Sequence, residues 1–302
     1  MTFKETMPAT ASLAVAAPAK INLYLRVRRR RADGYHDLDS WMQRIALFDR
    51  LAISLRSTPE ITLKVDDGRL PGDATNLVWR AAAAFFNACH LAGKISDTGA
   101  DIFLEKNIPL AAGLGGGSSD AAATLLGLNR LCGFPLTASA LAELGLSLGA
   151  DVPFFLFPAP AAFAGGVGEI LRPAPVLQGY SLVLVNPGFA VSTKEVFSRL
   201  SLTEETKKTK KASLVVDGSA CDADSLVNDL EAVALAMHPE ISRIKDRLLA
   251  LGAIAALMSG SGPTVFALFP AREFSETLAQ IKECLRQEFG PLVFVTTMLT
   301  GA

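Results

Sequence analysis

The residues of this chain best placed to do chemistry are Pro109, Leu110, Ala111, Ala112, Gly113, Leu114, Gly115, Gly116, Gly117, Ser118 and Ser119, with Asp120 directly after them. Glycines open backbone conformations closed to other residues and let the main chain approach an anion with no Cβ in the way. A glycine-rich loop that feeds a helix offers unpaired N–H groups and about half a positive charge from the helix dipole. Together these make a phosphate cradle. Ser118, Ser119 and Asp120 suit capping or donation to phosphate. An ordinary flexible loop before a helix is the plainer alternative, and the unbroken succession of Ser, Ser and Asp weighs against it. Two common phosphate-binding patterns do not fit. No Lys follows the glycines, so the P-loop pattern fails, and Ser118 stands where the dinucleotide fingerprint needs its third glycine.

Three other sites carry reactive side chains. Lys20 and Asn22 lie two apart and share a face if their segment is a strand; a Lys among apolar neighbours is either a snorkelling edge residue or a catalyst. Asp151, in Gly149-Ala150-Asp151-Val152-Pro153, is either a helix N-cap or a carboxylate held by backbone constraint. Arg28, Arg29, Arg30 and Arg31 precede an Asp33-Gly34 turn and then Tyr35-His36. The arginines read equally as a solvated hairpin tip or as a basic rim for a polyphosphate. Tyr35 and His36 can stack on a planar ring or simply pack.

The elements that must position these residues follow from apolar periodicity and breakers. Leu13 to Val27 reads as strand, Pro-containing bend, strand. Leu38 to Leu55 and Ile61 to Val65 are strand-rich. Asn76 to Leu91 is a helix capped near Thr75 or Asn76. Asp101 to Lys106 is the strand before the glycine loop, Ala121 to Leu131 the helix after it, and Ser139 to Leu148 a second helix. Phe157 to Ala164 reads as a crossover between domains, and Gly165 to Glu169 as a turn between short strands. Tyr180 to Asn186 is a buried strand, with a helix through Phe197 after it. Asn228 to Met237 and Glu240 to Leu251 are helices. Ala255 to Met258 and Thr264 to Phe269 are strands joined by the tight turn Ser259 to Pro263. Glu273 to Glu288 is an amphipathic helix and Leu292 to Met298 a closing strand. Strands and helices mix without strict βαβ alternation, so the fold class is α+β with two domains, 1–160 and 161–302.

Bulk properties exclude several classes. The chain has 302 residues, 50% hydrophobic and 20% charged, with net charge −1. That describes a globular protein with a sizeable core and without the basic footprint of a nucleic-acid binder. The four cysteines are far apart and the three histidines show no metal-ligand spacing. Free thiols in a reducing cytoplasm are expected. No apolar run reaches membrane-spanning length. Residues 1 to about 11 read as a disordered extension, and Ser201 to Ala212, with Lys207, Lys208, Lys210 and Lys211, as a solvated mobile loop.

The glycine loop resembles the Pro-x-x-x-Gly-Leu-Gly-Gly-(Gly)-Ser-Ser-x-Ala-Ala loop of the GHMP kinases, and the segment around Lys20 and the turn Ser259 to Pro263 resemble that family's other two motifs. Pro18 to Leu23, Asp33-Gly34-Tyr35-His36, Gly149 to Phe155 and Asn228-Asp229-Leu230-Glu231 are similar to one member type. The resemblance implies a two-domain GHMP kinase fold with the active site in the inter-domain cleft. It implies ATP- and Mg²⁺-dependent phosphorylation of the 2-hydroxyl of a small alcohol carrying a cytidine diphosphate, in the non-mevalonate (methylerythritol phosphate) route to isoprenoids. Lys20 and Asp151 would be the catalytic pair and Pro109 to Ser119 the ATP phosphate loop. Asn22, Tyr35, His36, Thr193 and Phe197 would bind the substrate, with His36 reading the cytosine and Tyr35 and Phe197 stacking on it. Mg²⁺ would be held by phosphates, waters and the hydroxyl of Ser118 or Ser119. A cytoplasmic monomer or weak homodimer is expected, with no nucleic-acid or membrane partner. Two other readings stand beside it: a mevalonate- or homoserine-type kinase, and a non-catalytic nucleotide-binding module.

Overall fold

The structure, a computed structural model, describes residues 11–201 and 226–301. The N-terminal extension up to residue 10, the lysine-rich stretch from residue 202 and Cys221 lie outside the described residues. In chain order the elements are β1 (Ser12–Arg30), β2 (His36–Arg56), β3 (Ile61–Val65), α1 (Leu77–Leu91), β4 (Gly99–Glu105), α2 (Gly116–Leu131), α3 (Ala138–Leu148) and α4 (Val152–Leu156). Then come β5 (Ala161–Gly166), β6 (Ile170–Pro173), β7 (Tyr180–Val185), α5 (Thr193–Arg199), β8 (Val227–Asn228), α6 (Glu231–Met237) and α7 (Glu240–Ala250). The last are β9 (Ala255–Met258), β10 (Val265–Pro270), α8 (Ala271–Phe274), α9 (Leu278–Phe289) and β11 (Val293–Thr297).

The chain divides into two compact units. The first holds the described residues up to Pro18, Phe48–Asn107 and Gly116–Leu156; the second holds Ala19–Leu47, Ile108–Gly115 and the described residues from Phe157 on. The last crossing comes between Leu156 and Phe157. The earlier crossings, within β1, within β2 and on either side of Ile108–Gly115, have no signature in composition.

In the first unit β4 pairs antiparallel with the second half of β2 (Arg50↔Glu105 to Arg56↔Gly99) and parallel with β3. Alternation does the sorting: Leu51, Ile53, Ile102 and Leu104 are buried, while Ala52, Asp101 and Phe103 between them are exposed. The helices cover the buried face, with α1 on α2 and both α2 and α3 on α4. Contact is close at Gly127 in α2, where a Cβ would lie 2.7 Å from Ile53 Cδ1 and 3.2 Å from Val15 Cγ2. A helix interior accepts glycine there because packing on the sheet outweighs its cost of about 1 kcal/mol in helix propensity.

In the second unit β7 and β10 are central in an antiparallel sheet ordered β11-β7-β10-β9. Both faces of that sheet are buried. Val183, Val185, Val265, Ala267 and Phe269 pack with Ile241, Ile244, Leu248, Ile281 and Leu285 of α7 and α9. Leu182, Leu184, Phe266 and Leu268 pack with Ala19, Ile21 and Leu23 of β1 and Trp41 and Ile45 of β2. Two-sided burial is why these strands read as continuous apolar runs rather than alternating ones.

Several elements differ from the sequence expectation. Strand β1 runs unbroken through Pro18. Among the described residues β8 pairs with β1 only at Tyr24 and Leu25, so no strand ladder on that side needs the N–H that Pro18 lacks. Helix α2 begins at Gly116, five residues before the expected Ala121. Low glycine propensity hides a helix start that needs bare N–H groups more than it needs propensity. Asn228 lies on a strand rather than in a helix. The expected helix Glu273 to Glu288 is two helices, α8 and α9.

Asn76 caps α1, its side chain accepting from Val78 N at 3.0 Å. Asn76→Ala removes that acceptor, so urea unfolding is expected to show a stability loss of about 1 kcal/mol. A change below a few tenths would mean the cap contributes nothing.

Candidate active site

The glycine loop is an anchored structure. In the second unit, Ala111 (φ 49°), Gly113 (φ 76°) and Gly115 (φ 71°) take left-handed backbone conformations at alternate positions. Reversals of this kind turn N–H groups toward one concavity, the usual main-chain nest for an anion. Ala111 carries a Cβ into a conformation that costs an L-residue about 1 kcal/mol or more. Ala112 and Leu114 are buried in the core, Leu114 O accepts from Lys20 N at 2.9 Å, and Ala112 O accepts from Thr264 N at 3.4 Å. At Gly113 a Cβ would run into the Ser259 carbonyl oxygen, and Ser259 Oγ donates to Gly113 O at 2.9 Å. Only glycine meets both the φ and the space.

Lys20 and Asn22 do share a face of β1. Lys20 is 4% exposed and Asn22 3%, so Lys20 does not snorkel. Lys20 Nζ donates to Asn22 Oδ1 at 2.6 Å, Asn22 Nδ2 donates to Ser40 Oγ at 2.9 Å, and Ser40 Oγ donates to Tyr24 O at 2.7 Å. A buried polar group is tolerated when its bonds are made, and this chain of donors also aims the ammonium. Ser40 was not singled out in the sequence, since a lone Ser in a strand carries no signal. The turn Ser259–Gly262 lies against the pair: a Cβ on Gly260 would be 3.4 Å from Lys20 Nζ and 3.4 Å from Asn22 Oδ1.

Of the residues expected to bind substrate, His36 and Phe197 come together as stacked rings, centroids 4.9 Å apart at 28°. Burial, and then the charge of Arg30, hold the His36 imidazole below its usual pKa. It is therefore neutral at pH 7, with one donor and one acceptor nitrogen. Tyr35 is 63% exposed on the hairpin turn and is not packed with them. Thr193, the first residue of α5, joins its Oγ1 to Ser261 Oγ at 2.7 Å. The arginines are mostly neutralised within their own hairpin. Arg28 pairs with Asp39 at 2.5 Å, Arg31 with Asp33 at 3.1 Å, and Arg29 with Asp37.

In the first unit, Gly116 to Ser119 form the opening turn of α2. Ser119 is 1% exposed with no hydrogen-bond partner for Oγ among the described residues, whereas Ser118 is partly exposed. Asp120 next to them is tied to Lys106 Nζ at 2.7 Å, and Lys106 also pairs with Asp49, which accepts from Asn107 N at 2.6 Å. This buried group joins the start of α2 to the end of β4. Burial pushes the Asp120 carboxyl up to about 7, Lys106 pulling it down and Asp49 adding to the rise. Asp151 sits partly buried on the turn between α3 and α4. Among the described residues no three His, Cys, Asp or Glu side chains cluster as a metal cage.

Two family descriptions match this chain: "GHMP kinases N terminal domain" over residues 76–158 and "GHMP kinases C terminal" over residues 219–291. A protein from Geobacter metallireducens named 4-diphosphocytidyl-2-C-methyl-D-erythritol kinase is 47% identical over 270 residues, covering 89% of this chain and 93% of its own length. A crystal structure of 4-(cytidine 5'-diphospho)-2C-methyl-D-erythritol kinase superposes with TM-score 0.78 at 35% identity, covering 96% of this chain and 100% of that one. A homoserine kinase from Cytophaga hutchinsonii superposes with TM-score 0.70 at 20% identity, covering 100% and 98%; this likeness is one of fold alone.

The Asp120 cluster has a pH consequence. An unfolded Asp titrates near 3.9, and the folded carboxyl titrates near 7. The folded state therefore holds a proton that the unfolded chain has released, and this group's contribution to stability falls as pH rises from about 4 to about 7. Urea unfolding at a series of pH values is expected to show a smaller fall over that window in Asp120→Asn than in the native sequence. Parallel curves would refute the assignment.

Proposed function

This chain belongs to the GHMP kinase family, and we propose that its reaction is transfer of the γ-phosphoryl group of ATP to the 2-hydroxyl of 4-diphosphocytidyl-2-C-methyl-D-erythritol, a step of the non-mevalonate route to isoprenoids. It is an ATP-dependent small-molecule kinase. The observation that carries the substrate assignment is the stacked pair His36–Phe197 in a chain whose close relatives bear that enzyme's name. The two rings already touch, so a planar base would lie against Phe197 while the neighbouring His36 meets its polar edge; mevalonate and homoserine offer no ring to stack.

Phosphoryl transfer passes through a loose transition state with charge on the γ-oxygens, so the protein's work is positioning and charge stabilisation. We assign the phosphates to Pro109–Ser119, a glycine-rich stretch with bare backbone N–H groups to offer. Lys20, held by Asn22, stabilises the attacking oxygen. Asp151 accepts the hydroxyl proton; in a loose transition state that proton leaves late, so a weak base suffices. Asn22, Tyr35, His36, Thr193 and Phe197 form the substrate side, His36 offering a donor and an acceptor to cytosine. The exposed position of Tyr35 suits a ring that closes on the base. Mg²⁺, when bound to the nucleotide, neutralises phosphate charge. Magnesium keeps most of its waters and needs few protein ligands beside the phosphates. Ser118, partly exposed where Ser119 is sealed, is the hydroxyl that fits it. No described helix is long and apolar enough to cross a membrane.

Purified protein supplied with ATP is expected to turn over the cytidyl substrate and neither mevalonate nor homoserine. Asp151→Asn is expected to lower kcat by about 10²- to 10⁴-fold. Turnover of another alcohol in its place would sink the substrate assignment, and an undiminished Asp151→Asn would sink the role of the carboxylate. Phe197→Ala is expected to raise KM for the cytidyl substrate by about tenfold or more, the worth of one stacked base, leaving KM for ATP unchanged. Equal effects on both would place Phe197 outside the base site.

A further inference from the structure

Asn228, Asp229, Leu230 and Glu231 form a run to which the chemistry above gives no task. Asn228 ends β8 and is 4% exposed. Its Nδ2 donates to Met258 O at 2.8 Å and to Gly260 O at 2.7 Å, while its Oδ1 accepts from Leu230 N at 3.0 Å. Glu231 accepts from Met258 N at 2.8 Å with one oxygen and from Lys245 Nζ at 2.5 Å with the other. Asp229 faces β1, accepting from Val27 N at 2.9 Å and Arg26 Nη1 at 2.7 Å, and its own N–H donates to Leu25 O at 2.9 Å. The run thus ties β1, the strand of Lys20 and Asn22, to the turn Ser259–Gly262. That turn passes the restraint on through Ser259 Oγ, which donates to Gly113 O. It also lies against Lys20: a Cβ on Gly260 would be 3.2 Å from Gly113 O and 3.4 Å from Lys20 Nζ.

We propose that Asn228 is a positioning residue for phosphoryl transfer. By holding the Met258 and Gly260 carbonyls it sets the turn that locks Gly113 of the phosphate loop and bounds the space at Lys20. The inference rests on the kinase reading above and extends it to residues that touch neither substrate. An amide is needed because both donors and the acceptor are in use. Asp has the same shape and keeps the acceptor for Leu230, but it sets an oxygen against two carbonyl oxygens in a buried place, which is strongly unfavourable.

Asn228→Asp, Ser259→Ala and the double variant are made in the full chain. Steady-state kinetics with ATP and 4-diphosphocytidyl-2-C-methyl-D-erythritol, calorimetric ADP binding and thermal unfolding are measured for each. Asn228→Asp is expected to raise KM for ATP and Kd for ADP by about tenfold or more, with KM for the alcohol within about twofold. Ser259→Ala leaves every Asn228 bond in place and is expected to shift the same two constants in the same direction. The double variant is expected to be no worse than Asn228→Asp alone, because both changes cut one line of contacts. A folded Asn228→Asp with native nucleotide constants would overturn the proposal, as would equal losses for nucleotide and alcohol. Should Asn228→Asp fail to fold, unchanged nucleotide constants in Ser259→Ala overturn it. Absence of turnover by the native protein would instead overturn the kinase reading, while ADP affinity across the variants still decides the role of Asn228.

Discussion

The approach of the Ser259 carbonyl to the bare Cα of Gly113 is the constraint on which the second unit's functional geometry depends. No side chain fits between them, and the hydroxyl of Ser259 closes the same contact with a hydrogen bond. Two distant stretches of chain are thereby held at backbone distance. The loop's alternating left-handed residues keep their conformation because core burial of Ala112 and Leu114 and the bonds from Lys20 and Thr264 leave them no other. Strain of this kind persists only where surrounding structure over-determines it. A loop held in advance would spend none of a ligand's binding energy on its own ordering.

Buried polar groups serve two different ends in this protein. Lys20, Asn22 and Ser40 form a line of donors that ends on a strand carbonyl, and its product is a directed ammonium. Lys106 lies between Asp49 and Asp120, and its product is a join between the end of β4 and the start of α2. Replacing a whole buried ion pair with apolar residues is often harmless, while removing one partner leaves an uncompensated charge. The second arrangement carries two carboxylates on one ammonium, which is why burial shows in the raised Asp120 carboxyl.

The arginine hairpin shows how local pairing decides between two readings of the same residues. Four consecutive arginines suggest a strong basic field, yet three of them meet Asp33, Asp37 or Asp39 on the same hairpin. Such exposed pairs are each worth little to stability, about 0–1 kcal/mol, but they remove most of the net charge a polyphosphate would meet. Arg30 remains exposed and is felt by His36, so its effect bears on the imidazole's charge state.

The sequence by itself determined most of the element types, the glycine loop as a distinct motif between a strand and a helix, the shared face of Lys20 and Asn22, and the family. Each of these is local: a period of two or 3.6 residues, a glycine run, a short motif. It also carried the α+β class, since strands and helices follow one another without strict alternation. Tertiary structure alone decided the rest. Helix α2 starts at Gly116 because packing and orphan N–H groups outweigh glycine's poor propensity. Asn228 lies on a strand because β1 offers it a partner at Leu25. Ser40, Ser261, Asp49 and Lys106 gained meaning only from neighbours far away in sequence. The two units interleave along the chain because β1 and β2 each cross between them. Periodicity reports which face of an element is buried; it carries no information on which distant segment buries it, and that pairing is what placed these side chains.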